Sequence, residues 1–212
     1  QWSYFLGLSE PDSNWKSVLY NDTAWSSGYM GFGFGDNDDS TYVSGASSLY
    51  LRTHFAVIDT FVINNLILHA DYDDAFIAYL NGVEIARSKN IYSQPDYNTL
   101  ATSEHEALFY RYEKYLIDNT LIDSLLLTGD NVLAIQIHDV DSIPDDMSAS
   151  FFLHAGINSD STYFNPKTDW FEDTTTLYHA NFKISVSDTI CISDSLGNII
   201  DQKAITTDRS LI

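Results

Sequence analysis

"AFIAYLNGVEIARS", residues 75–88, decides how the architecture of this chain is read. Two short apolar runs flank Asn81-Gly82, a pair that accepts the positive φ a two-residue type I′ turn requires. The stretch therefore reads as a β-hairpin. Outward from it, the same period of two recurs. In "LYLRTHFAV", residues 49–57, Leu49, Leu51, Thr53, Phe55 and Val57 take one face, and Tyr50, Arg52 and His54 take the other. In "NVLAIQIH", residues 131–138, Leu133, Ile135 and Ile137 alternate with Ala134, Gln136 and His138. "FVINNLILHAD" (61–71) and "ASFFLHAG" (149–156) supply two further strands. Such alternation implies half-buried strands with one face on a core.

Helix is scarce. Its best candidate is "DNTLIDSLLLTGD", residues 118–130, with Asp118 or Asn119 as cap and Gly129 as the closing residue. Several strands of similar length joined by turns imply an all-β chain folded as an antiparallel β-sandwich. The segment 158–176 lacks sustained periodicity, contains Pro166 and reads as a connector. Alternation returns at Phe182, Ile184 and Val186, then at Ile190 and Ile192, with a turn expected at 195–198. The expected organisation is a sandwich over 1–157, a connector over 158–176 and a small β appendage over 177–212. So few strands cannot bury a core alone.

Ten Lys and Arg stand against 30 Asp and Glu among 212 residues, a net charge of −20. That surface repels phosphate backbones and anionic lipid, so nucleic acid and membranes are excluded as expected partners. It suits an extracellular protein, or one that binds hard cations through carboxylates. Cys191 is the only cysteine and lies in "TICIS", where it reads as a small strand residue. No run of 18 apolar residues occurs. The chain opens at Gln1 beside the strand-like "WSYFL", so a signal peptide is expected to be absent or already removed, within a longer protein.

Strand parity gives the acidic residues a common address. If successive strands run antiparallel, Asp36, Asp38 and Asp39 meet Asp71, Asp73 and Asp74 at one end of the sandwich. Asp139, Asp141, Asp145 and Asp146 arrive at the same pole. Unpaired they repel one another, and a divalent cation removes that penalty. Calcium is the expected ion, because it takes six to eight oxygen ligands in irregular loops. Asp36, Asp38 and Asp74 lead the candidate ligands, with Asp39, Asp71 and Asp73 beside them. The loop is not an EF-hand: Thr41 stands at the turn glycine and Ser47 at the bidentate glutamate. The competing reading is a solvated loop in which Asp39 or Asp74 caps turns.

Other chemistry is less well supported. The acids do not form an isolated pair of the kind glycoside hydrolysis needs, and Glu84 in "VEIAR" is expected to point outward. The six histidines show no paired-ligand spacing, and His54, His138 and His154 read as sheet-surface residues. "GFGFG" precedes an acidic loop and not a helix, which argues against a phosphate site. A glycan platform needs exposed aromatics, and Tyr92 and Tyr97 flank Pro95 in the long loop 89–106. The alternative is that these tyrosines pack the loop down. Trp15 and Trp25 are expected to be structural.

Four phrases together resemble a galactose-binding-like jelly-roll module: "GFGFGDNDD", "SLYLRTHFAV", "DYDDAFIAYLNGVEIARS" and "LLLTGDNVLAIQIHDV". Modules of this kind occur in large secreted bacterial proteins, beside metallophosphoesterases, lamin-tail-like domains and spore-coat-H-type kinase domains. The likeness spans residues 15 to about 157. The tail "HANFKISVSDTICISDSLGNIIDQ" resembles the second half of a lamin-tail-like domain. The resemblance implies a carbohydrate-binding accessory or adhesion module of a secreted or cell-surface protein, linked covalently to neighbouring domains; the acidic residues add the expectation that it is calcium-stabilised, and the lack of an isolated acid pair that it is non-catalytic. Its expected partner is a polysaccharide or cell-surface glycan. A structural spacer is the alternative, and a carbohydrate-active enzyme the third choice.

Overall fold

Hairpin geometry at Asn81-Gly82 is as expected: φ is 52° at Asn81 and 90° at Gly82, the two positive values of a type I′ turn. The structure is a computed structural model that describes residues 1–35, 39–92, 94–107, 112–157, 189–193 and 199–204, the last two segments as backbone only. The hairpin joins β7 (Ala75–Leu80) to β8 (Val83–Arg87). Ahead of it come β1 (Trp2–Leu6), β2 (Ser26–Gly28), β3 (Phe32–Phe34), β4 (Thr41–Tyr42), β5 (Ser48–Val57) and β6 (Ile63–Asp73). After it come β9 (Glu113–Leu116), β10 (Gly129–His138), β11 (Met147–Ile157), β12 (Thr189–Ser193) and β13 (Ile199–Ala204).

The first sheet has the order β2-β1-β5-β10-β7-β8, and the second β4-β3-β11-β6-β9. All pairings are antiparallel except β3 with β4. The chain is an all-β sandwich of two sheets. Residues 1–163 form one compact unit and residues 164–212 another, in which β12 and β13 make an antiparallel pair. The alternation expected at Phe182, Ile184 and Val186 and the turn at 195–198 lie outside the described residues, as does the connector. Among the described residues no helix is long and apolar enough to cross a membrane.

Period-two patterning builds the core. Leu49 and Leu51 of β5, Phe76, Ala78 and Leu80 of β7, and Leu133, Ile135 and Ile137 of β10 face the second sheet. There they meet Leu66, Leu68, Ala70 and Tyr72 of β6 and Ala149 and Phe151 of β11. The Phe76 and Phe151 rings cross edge-on at 5.1 Å between centroids. Each fully buried side chain of this kind stabilises the fold by about 1.5–3 kcal/mol.

Half-burial is corrected by the structure. Tyr50 and Arg52 of β5 and His138 of β10, on the faces away from the core, are 0% exposed. Two irregular stretches, residues 8–25 and 88–106, make a second layer there. Trp15 packs edge-on against Tyr50 (5.1 Å) and Tyr79 (5.8 Å) and stacks on Trp25 (6.3 Å), with Ile77, Ile91 and Ala101 in the same cluster. Trp15 and Trp25 are thus structural. Arg52 is the clamp: Nε pairs with Asp22 Oδ2 at 2.9 Å, and the guanidinium donates to the carbonyls of Trp15, Ser17 and Tyr20.

His138 is therefore no surface residue; its Nδ1 lies 2.8 Å from the Thr99 carbonyl, and burial pushes its pKa down to about 4. His54, paired with Asp130 at 2.9 Å, and His154 are both exposed on their sheets, as expected. Glu84 does sit at the surface, paired with Arg87 at 2.6 Å. The expected helix shrinks to a 3-10 turn, Asn119–Leu121, and one α-helical turn, Ile122–Leu125. Asp118 caps it by accepting the Thr120 N–H, whereas Gly129 opens β10.

Candidate metal centre at the acidic pole

Antiparallel order brings the carboxylates together. Strand β6 ends at Asp73, Asp74 leads into β7, and β10 delivers Asp139 just past His138, which pairs with both Ser48 and Ala75. One carboxylate oxygen from each of Asp73, Asp74 and Asp139 lies within 4.8 Å of the others, and all three residues are buried. Asp73, Glu106 and Asp146 form a second such triad. The two triads share Asp73.

Asp74 and Asp139 are held by backbone N–H groups. Asp74 Oδ1 accepts the His105 N–H at 2.6 Å, and Oδ2 accepts the Val140 N–H at 2.7 Å. Asp139 Oδ1 accepts the Asp141 N–H at 2.6 Å. The His105 ring stacks on Tyr72 at 4.1 Å and bridges the Tyr72 carbonyl and Glu113. This fixes the chain that carries Glu106. Glycine completes the approach of the first acidic loop. A Cβ at Gly33 would collide with Asp39 Oδ1 and the Met147 carbonyl, and one at Gly35 with Asp146.

Burial and like charge push Asp73 up to about 8; the charges acting on it are Asp74, Asp146 and Glu106, all acidic. Burial, with Asp74, Asp141 and Asp146 near by, pushes Asp139 up to about 6. Carboxylates so placed are neutralised by a proton or by a cation. The donors are all hard oxygens, which fits calcium and does not fit zinc.

Of the expected ligands, Asp73 and Asp74 stand in the first triad. Asp71 is buried on β6 two residues earlier, and Asp39 lies against Gly33, both outside the triads. Asp36 and Asp38 lie outside the described residues. Glu106 escaped the sequence reading, because the loop 89–106 has no periodicity from which to place it. Tyr92 is 68% exposed. Tyr97 is half-buried on the outer cluster; its N–H donates to Glu10 and its carbonyl accepts from Ser48 Oγ.

No protein-family model and no curated protein matches this chain. Among solved structures, it is similar to part of a beta-glucuronidase from glycoside hydrolase family 2, with 15% identity over 65% of this chain and 13% of that one, at a TM-score of 0.41. It is similar in the same way to Bacteroides uniformis beta-glucuronidase 2, with 12% identity over 73% and 17% of the two chains and a TM-score of 0.45. A glycosyl hydrolase family 2 member from Bacteroides cellulosilyticus gives 13% identity over 71% and 19%, at a TM-score of 0.40. The chain spans less than a fifth of the length of each.

Proposed function

We propose that this chain is a non-catalytic, calcium-stabilised β-sandwich module of galactose-binding-like type. It serves as an accessory or adhesion unit of a longer secreted or cell-surface protein and engages glycan. The observation that carries the metal part is the buried Asp73, Asp74 and Asp139 triad, whose neighbouring charges are themselves acidic. Asp74, with both oxygens accepting backbone N–H groups, is poorly placed to act as a nucleophile, which supports a structural role. Exposed Tyr92, on a loop anchored at several points, supports a contact role.

The Asp73→Asn substitution tests the metal reading through a change of sign. Without calcium at pH 8, removing one of several crowded negative charges leaves the melting temperature equal or raises it. With calcium, the same substitution lowers it, because a ligand is gone. Equal melting temperatures of the unsubstituted protein in calcium and in EDTA would sink the proposal. The glycan reading is tested on a broad glycan array: binding is expected and drops at least tenfold in Tyr92→Ala. Silence across the array favours a spacer that positions a neighbouring domain.

A further inference from the structure

Two histidines far apart in sequence meet on the outer face of the second sheet. In the β6–β11 register His69 lies opposite Phe152 and His154 opposite Ile67, so the two are diagonal neighbours. Their neighbours along each strand, Leu68 and Ala70 on β6 and Leu153 on β11, point into the core, so both rings stand on the other side. The ring centroids are 4.5 Å apart with planes tilted by 54°. Rings this close are within reach of a single ion bound at about 2.0–2.1 Å from a nitrogen of each.

The bonding of His69 sets it apart from three other described histidines. His54, His105 and His138 each have Nδ1 within hydrogen-bond distance of an oxygen, from Asp130, Tyr72 and Thr99 respectively. His69 Nδ1 is buried and has no hydrogen-bond partner. Burial, then His154 and Lys114, holds its pKa below the ordinary histidine value. His154 is exposed, which leaves one side of the pair open.

We propose that His69 and His154 form a second cation site, separate from the acidic pole, that takes a borderline divalent ion such as Zn²⁺ through two imidazole nitrogens. Its remaining positions go to water or to a donor from outside the chain. Imidazole suits Zn²⁺ and Cu²⁺, while calcium prefers oxygen, so the two sites select different ions. Lys114, opposite His69 on β9, opposes a cation here, and the net charge of −20 favours one.

The test is a Zn²⁺ titration of the full chain by calorimetry at pH 7.5, with calcium in excess to occupy the pole. One Zn²⁺ per chain is expected, with affinity falling at least tenfold in His69→Ala and in His154→Ala. Lys114→Gln is expected to tighten binding several-fold. With Cu²⁺ as a spectroscopic stand-in, electron paramagnetic resonance is expected to show two nitrogen ligands, and one in either histidine variant. Thermal melts in calcium confirm that each variant is folded before it is titrated. No Zn²⁺ binding, or binding unchanged in both folded histidine variants, would overturn the assignment. Neither result bears on calcium at the acidic pole.

Discussion

Replacing Arg52 by methionine is expected to lower the melting temperature by roughly 6–20 °C. Breaking a buried ion pair costs about 3–5 kcal/mol, and a domain of this size loses about 2–4 °C per kcal/mol. Methionine keeps the apolar stem but removes the guanidinium that binds Asp22 and the carbonyls of Trp15, Ser17 and Tyr20. Those acceptors are then left without their donor beneath the outer layer. Trp15 and Trp25 lie in that layer, so tryptophan fluorescence should shift to the red before the global transition. Asp22→Asn is expected to cost less, because Asp22 is partly exposed and an amide still accepts one bond. A wild-type melting curve for Arg52→Met would show that residues 8–25 are held by the tryptophans alone.

Stability without calcium is expected to fall as pH rises from about 6.5 to about 8. Asp73 and Asp139 have folded pKa values near 8 and 6, above the unfolded value of about 3.9. Their contribution is therefore complete below the unfolded value and is lost as pH rises through the folded one. His138 acts the other way: its folded pKa near 4 lies below the unfolded value, so its contribution is lost as pH falls from 6.5 through 4. The two trends oppose each other between pH 4 and 6.5, and only the carboxylate trend remains above that window. Calcium bound at the proposed site would compete with the proton on Asp73. Its affinity should rise with pH, by up to tenfold per unit below pH 8, and each ion bound should release a proton. At one hundred times its dissociation constant the ion adds about 2.7 kcal/mol, or roughly 5–11 °C. Thermal melts from pH 5 to 9 in EDTA and in calcium check both curves. A calcium effect independent of pH would place the ion away from Asp73.

How far the sequence carried these conclusions depends on which physical signal each feature leaves. Alternation in 49–57 and 131–138 was enough to place the strands, and strand parity brought Asp73, Asp74 and Asp139 to one end. Alternation separates two faces but does not say whether the second is covered. Arg52 and His138 were therefore read as facing solvent, since residues 8–25 and 88–106 that bury them have no period. Glu106 was missed for the same reason. His69 and His154 were invisible as a pair because their meeting depends on the register of strands β6 and β11, which no local spacing encodes.

The loop that presents Tyr92 is tied to the acidic pole on both of its sides. Asn90 Nδ2 donates to the Asp74 carbonyl, and the His105 N–H to the Asp74 carboxylate. The Ala101 N–H reaches the carbonyl of Asp139 between them. The loop and the pole therefore cannot respond independently. A ligand that shifts the loop on binding alters the affinity of the pole for protons and cations, and occupancy of the pole alters that ligand's affinity by the same factor. If Tyr92 contacts glycan as proposed, reciprocity of this kind makes the charge state of Asp74's surroundings an input to that contact.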